Sequence, residues 1–322
     1  MSSDKHRDAQ IKELLLDLFV TPRKLIEKWS KITNQTAQVR ISYPGQHLAS
    51  LIVGRLGSGT AARGDDLEDG TEVKTCSKAD QLGECKDCGA KVLPFLKKCP
   101  SCGSTRLERK TDSHWIFPIQ NEKELQTLLT VPRIILILFD RDSNDKIQVR
   151  VWRISPKDTY VRAFFKNYYY ENHAAKVKRG EKPSPCNLHP LKFDFYMMNP
   201  VLLFHAKIID SDITILSYDS ENQNSEDMPI SFLSEKELIE FLKKIPATEI
   251  KNRISSIGEE DAKKFSDYCK APSHLFIENH AALFKVLFPV IDEEHRRLLG
   301  MREKKTKKYR ETYFRKSYGG KK

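Results

Sequence analysis

The stretch "GDDLEDGTEVKT", residues 64 to 75, brings acids and a lysine together around a tight turn. Gly70 fits the left-handed position that closes a three-residue hairpin loop. If Leu67 and Thr71 close that loop, Asp66 lies opposite Glu72 and Gly64 opposite Lys74. Side chains alternate along a strand, so Asp66, Glu72 and Lys74 share one face, and Leu67 and Val73 the other. A two-residue turn at Asp69-Gly70 would shift the register by one and bring in Asp65 instead. The first register separates apolar from charged side chains more cleanly, which favours Asp66 over Asp65. Two carboxylates suit Mg²⁺, a hard cation that prefers oxygen ligands. A lysine beside them can polarise a water and neutralise charge that develops on phosphoryl oxygens. The bland alternative is a solvated hairpin with ordinary charges.

A second constellation follows. "CKDCGAKVLPFLKKCPSCG" spaces Cys85 and Cys88 by two residues, then Cys99 and Cys102 by two, with ten residues between the pairs. Glycine follows each pair (Gly89, Gly103), freeing the backbone to curl so that amides can point at sulfur. Four thiolates close a tetrahedral shell around Zn²⁺ and leave no open position, which makes the site structural rather than catalytic. Iron held by the same ligands is the less favoured alternative. The chain has seven cysteines; the other three, Cys76, Cys186 and Cys269, are scattered. An odd, clustered set is no disulfide framework and points to a reducing compartment. Lys97 and Lys98 stand among several basic residues of this module, so either it touches nucleic acid or it staples an insertion to a larger domain.

The elements that must position these groups are legible around them. "PGQHLASLIVGRLG" sets Leu48, Leu51, Ile52 and Leu56 at helical spacing before the acids. After the cysteines come a strand at "HWIFPI", a helix at "NEKELQTLL", and strands at "RIILILFD" and "KIQVRVWRI" with a turn at Asn144-Asp145. His114 opens the first of these strands as a capping, core or functional histidine. From Tyr160 onward, aromatics mix with Arg162 and Lys166, a composition that suits either a DNA-facing segment or a core. "LKFDFYMM" and "VLLFHAKIIDSDITILSYD" read as strands. Ser234 caps a helix, and several helical pieces run from Thr248 to Leu299.

The chain has 322 residues and a net charge of +11. Residues 302 to 322 hold a surplus of eight positive charges, leaving about +3 on the remainder; the tail could follow a phosphate backbone or be a solvated terminus. The longest apolar run, Ile134 to Phe139, is far shorter than the roughly 20 residues that span a bilayer. Met1 to Gln10 has no apolar signal core, so no secretion signal is expected; the expected location is the cytoplasm, with no membrane partner.

"RGDDLEDGTEVKT" resembles the Asp…Glu-x-Lys signature of the PD-(D/E)xK nuclease superfamily. The wider stretch "YPGQHLASLIVGRLGSGTAARGDDLEDGTEVKTCSKADQLGECKDCG" is similar to the MamI group of Type II restriction endonucleases. The resemblance covers residues 29 to 120 well and the rest in general layout. It implies Mg²⁺-dependent, sequence-specific cleavage of double-stranded DNA by a homodimer, with a cognate DNA methyltransferase as functional partner. Asp66, Glu72 and Lys74 match the catalytic positions, and Gln46 matches a supporting polar residue on the preceding helix. Arg63, just before the acids, could grip a phosphate. The gap from Asp66 to Glu72 is shorter than the superfamily's pattern, and no proline precedes the aspartate. The implied fold is mixed α/β: a nuclease core running helix, three strands, helix, strand, with an inserted zinc ribbon and a C-terminal α+β region. The expected units are residues 1–76, 77–111, 112–159 and 160–322. A structure-directed repair nuclease or junction resolvase, and a zinc-containing DNA binder without catalysis, are the rival readings.

Overall fold

The computed structural model describes residues 2–59, 65–142, 144–219 and 253. Arg63, the helix expected at Ser234, the basic tail and, Arg253 apart, the helical pieces expected from Thr248 to Leu299 lie outside the described residues.

A five-stranded sheet forms the centre, in the order β1 (Glu72–Ser77), β6 (Ile134–Arg141), β7 (Ile147–Ile154), β9 (Val201–Ile209), β10 (Asp212–Tyr218). β1 runs parallel to β6, with Glu72 opposite Ile134 and Lys74 opposite Leu136; the other pairs are antiparallel. A parallel pair needs a crossover. Here the crossover holds a three-stranded module, made of β2 (Gly83–Cys85), β3 (Lys91–Val92) and β4 (Leu107–Arg109), followed by β5 (Trp115–Phe117) and helix α4 (Glu122–Thr130).

β6 explains the unbroken apolar run. Ile134, Leu136 and Leu138 enter one core, and Ile135, Ile137 and Phe139 enter another. A strand covered on both faces has no need of polar alternation. The first core is roofed by β5, α4, helix α5 (Thr159–Asn167), β8 (Cys186–Leu188) and helix α7 (Phe193–Met197). The second is roofed by α1 (Ser2–Leu15), the π-helical turn Leu16–Val20 and α3 (Ser42–Val53). Helix α2 (Thr21–Thr33), the π-helical segment Tyr168–Ala174 and α6 (Ala175–Lys178) complete the described elements. Residues on both sides of position 160 share one core and one sheet. Among the described residues, no helix is long and apolar enough to cross a membrane.

Three expectations need correction. "LKFDFYMM" contains helix α7, not a strand; Phe195, Tyr196, Met197 and Met198 are all buried, and a short run that is apolar throughout fixes no period. Leu56 is not on the buried face of α3. The helix ends at Gly54 (φ 70°), and Leu56 is 71 % exposed. The hairpin around Gly70 is only partly realised. The loop closes through the Leu67 N–H to the Thr71 carbonyl at 3.3 Å, with Gly70 at φ 84°. The strand expected before it does not pair with β1, because Leu67 bridges Gly57 and β1 pairs with β6. Among the described residues, this one bridge stands where the first strand of the hairpin was expected between α3 and β1.

Candidate active site

β1 is an edge strand, and its open side creates the site. The Glu72 N–H donates inward to the Arg133 carbonyl at 3.2 Å. The next amide in a strand points the other way, so the Val73 N–H faces the open edge. Asp66 Oδ2 accepts it at 2.7 Å. Gln46 Nε2 donates to Asp66 Oδ1. Gln46 reaches that far because α3 lies directly on β1: a Cβ at Gly45 would fall inside the Thr75 side chain. The loop between Asp66 and β1 is pinned by Asp69, whose carboxylate accepts from Arg133 Nη2 at 3.0 Å and from the Thr71 N–H at 3.1 Å.

Glu72 and Lys74 project from the same face of β1, and Lys74 Nζ donates to Glu72 Oε1. Lys74 Nζ also lies 5.8 Å from the centre of the Phe117 ring. Asp66 is half-buried. Burial pushes its carboxyl above the ordinary aspartate value, and the Glu72 and Asp65 carboxylates push it further, against the Val73 amide and Lys74. Asp65 is exposed at the mouth of a cleft of about 460 Å³ that Tyr43, Gln46, His47, Ser58 and Asp66 also line. The structure thus brings Gln46, Asp66, Glu72 and Lys74 together and sets Asp65 beside them. The donor set fits a hard cation: a carboxyl whose acidic neighbours raise its proton affinity, as those of Asp66 do, is one a divalent ion would stabilise in its charged form.

The four cysteines form the other site. Their sulfurs all lie within 4.8 Å of one another. Cys85 and Cys102 are 3.6 Å apart, and Cys88 and Cys99 3.5 Å. A disulfide would require about 2.05 Å. A tetrahedron with metal–sulfur bonds of about 2.3 Å has edges of about 3.8 Å, so the arrangement suits one ion. The two knuckles repeat: the Gly89 N–H returns to the Cys85 carbonyl and the Gly103 N–H to the Cys99 carbonyl, each at 2.9 Å, with both glycines at positive φ. Burial alone would raise the Cys99 thiol, but the amides of Cys102 and Ser101 aim at its sulfur and bring it down to about 6. The module is tied to the large sheet by Arg141 Nη2, which donates to the Ala79 carbonyl at 3.2 Å and the Pro94 carbonyl at 3.1 Å. Arg106 pairs with Asp87 at 2.8 Å and Lys91 with Glu84, so part of the module's basic charge is answered within it. Lys97 and Lys98 are exposed.

The remaining sequence candidates fall elsewhere. Arg162 turns into the fold, with Nη1 donating to the Leu129 carbonyl at 3.3 Å and the Pro156 carbonyl at 3.4 Å, while Lys166 is half-exposed on α5. The aromatics around them, Tyr160, Phe164 and Phe165, are core. The half-buried His114 ring lies 4.9 Å from that of His189. Tyr43 and Phe117 were not anticipated beside the site. Tyr43 sits three residues before Gln46, a helical spacing that marks it as a neighbour; nothing local to Phe117 signals its contact with Lys74.

The model of a family described as MamI restriction endonuclease matches residues 28–235. A curated relative, the Type II restriction enzyme MamI of Microbacterium ammoniaphilum, is 39 % identical over 67 residues, which are 21 % of this chain and 22 % of the relative. The chain therefore spans under a quarter of the length of the curated relative it matches. No solved structure matches.

Proposed function

Because the chain belongs to the MamI restriction endonuclease family, we propose that it is a Mg²⁺-dependent, sequence-specific endonuclease that hydrolyses phosphodiester bonds of double-stranded DNA. The observation that carries this reading is the meeting of Gln46, Asp66, Glu72 and Lys74 at the open edge of β1. The sequence of α3, the Glu-x-Lys strand β1, helix α4 and the parallel strand β6 supports a PD-(D/E)xK core.

Asp66 and Glu72 are the residues that would hold Mg²⁺. When bound, the ion neutralises charge on the phosphoryl oxygens and makes a water more acidic. Gln46 and the Val73 N–H fix the Asp66 carboxylate from two sides, so its direction is set before DNA arrives. Lys74 is the cation beside the carboxylates and is placed to orient the attacking water and to stabilise charge as the phosphorus–oxygen bond breaks. Cys85, Cys88, Cys99 and Cys102 would hold a structural Zn²⁺ and contribute no chemistry. Each chain supplies one such centre, so cutting both strands calls for two copies; a homodimer on a palindromic or interrupted-palindromic site meets that need. A cognate methyltransferase would protect the host's own sites.

The test is incubation of full-length protein with unmethylated plasmid and phage DNA, with Mg²⁺ or with EDTA, resolved on a gel. Discrete fragments that require Mg²⁺ and vanish with Lys74→Ala support the proposal. Nicking or a smear would favour a structure-directed nuclease. DNA that is shifted but intact would sink the catalytic reading and leave a DNA binder.

A further inference from the structure

The end of β1 away from Glu72 leads to a second polar group that the proposed chemistry does not use. Alternation puts Glu72, Lys74, Cys76 and Lys78 in one row. Cys76 is buried, and Lys78 returns to the surface, where Nζ donates to the Pro190 carbonyl at 3.3 Å. His114, just before β5, holds the Asp112 carbonyl at 2.8 Å through Nδ1 and turns its ring toward His189. Pro190 and Leu191 separate His189 from Lys192. Three segments distant in sequence thus converge here with four cationic or protonatable side chains, all half-buried.

Two further observations distinguish this group from ordinary surface charge. Leu191 is buried with φ at 60°, a conformation that a bulky L residue rarely adopts and that tends to occur where function requires it. It is the turn between His189 and Lys192. The balance of neighbours is also one-sided. Burial first, then Lys192, His114 and Lys78, hold the His189 imidazole down to about 4, against Asp112 alone. Lys192 additionally faces Asp194. Both acids already serve as acceptors, the exposed Asp112 from Gln81 Nε2 and the buried Asp194 from Tyr160 Oη at 2.7 Å.

We propose that Lys78, His114, His189 and Lys192 form a clamp for a non-scissile backbone phosphate of the DNA. The His189 ring can offer an N–H and the lysines supply charge, the combination a phosphate oxyanion accepts; His114, its Nδ1 N–H committed to the Asp112 carbonyl, sets the His189 ring by packing against it. Lys78 lies four residues beyond Lys74 along the row, about 13 Å at a strand's rise of about 3.3 Å per residue. Phosphates of one DNA strand advance about 3.4 Å per step along the helix axis, so a separation of about 13 Å places the clamp on a phosphate other than the scissile one. Its contact is to phosphate alone, so it fixes position and not sequence. The proposal rests on the reading of the chain as a DNA nuclease.

The test is equilibrium binding of the full-length protein, with its cysteine site loaded and Mg²⁺ withheld, to a short duplex across roughly 50 to 200 mM salt. Lys78→Gln/Lys192→Gln should flatten the slope of log K against log salt by about 1 and weaken binding equally for unrelated sequences. In the wild-type protein, the imidazole NMR resonances of His114 and His189 should shift when duplex is added, a readout that survives if the double variant fails to fold. An unchanged slope in a folded double variant, or imidazoles that ignore DNA, overturns the clamp even where wild-type protein cuts plasmid. Wild-type protein that binds duplex and never cuts it sinks the nuclease reading, while the slope still judges the clamp. Wild-type protein that binds no duplex overturns both.

Discussion

At the edge of the five-stranded sheet, the Asp66 carboxylate takes the Val73 N–H; in the cysteine module, the Cys85 and Cys99 sulfurs take N–H groups from their own knuckles. Both regions therefore aim backbone amides at an anion. Their supports differ. Behind β1 stands β6, with six consecutive apolar side chains fully buried and shared between two cores. Burying a side chain of that size contributes about 1.5–3 kcal/mol. The module buries Val92 and two of its own cysteines, with Ala90, Leu96 and Leu107 half-covered. So small a core does not hold three short strands; the structural Zn²⁺ proposed for the four cysteines would supply about 10–16 kcal/mol. The same local device thus belongs to a site that a fold has already built in one region, and to a site that must build its fold in the other.

One reagent separates the two cases. A strong chelator should unfold residues 83–109 locally while the sheet keeps its structure. Hydrogen exchange is expected to lose protection in β2, β3 and β4 and to retain it in β6 and β7. Cys99→Ser should reproduce the effect without chelator. Uniform loss of protection in both regions would break the comparison, and so would a module that stays protected after its metal is gone. The next largest effect falls on the other site. Lys74→Ala should lower cleavage by about 10²–10³-fold, as for a lost transition-state charge partner, with no loss of protection in either region. A cleavage defect explained by lost folding would deny the sheet edge its preformed character.

Gly45→Ala sharpens the comparison from the packing side. The added methyl enters the space of Thr75, so α3 must lift from β1 and carry Gln46 with it. Overpacking of this kind costs about 1–3 kcal/mol. Thermal melts should fall accordingly, cleavage should fall further because Gln46 no longer steadies Asp66, and metal retention by the module should be unaffected. This contact also marks where sequence reading reached its limit. The apolar run of β6, the spacing on α3 and the cysteine pairs were legible because each depends on neighbours a few residues away. The pairing of β1 with β6, and the consequent exposure of the Val73 N–H to Asp66, were not, since they join segments separated by the whole module. The sequence pattern did put Asp66, Glu72 and Lys74 in one place, for a hairpin reason that the structure replaces with an open-edge one. The helix at Phe193–Met197 was missed because burial on all sides erases the alternation that would distinguish helix from strand.

The smallest expected effect tests what the sheet edge gives up to hold its anion. The Asp66 carboxyl is raised by burial and by Glu72 and Asp65. Below the ordinary aspartate pKa the group is protonated in both the folded and the unfolded chain, and the shift contributes nothing. As pH rises past that value the unfolded chain releases its proton first, so the folded state is progressively disfavoured until the raised folded value is passed, and the penalty then stays constant. Asp66→Asn removes that penalty. Its amide oxygen can still accept the Val73 N–H, and Gln46 can turn its own amide to meet the new NH₂. In EDTA the variant should therefore melt slightly above wild type at neutral pH, with the difference vanishing in acid below the aspartate range, and it should not cleave. With Mg²⁺ added, wild type should gain stability and the variant should not, because only the carboxylate rewards the ion. If Asp66→Asn destabilises the metal-free protein at neutral pH, the carboxylate is a structural brace of the edge, as the knuckle sulfurs are of their module, and the contrast between the two regions fails at the residue on which it depends.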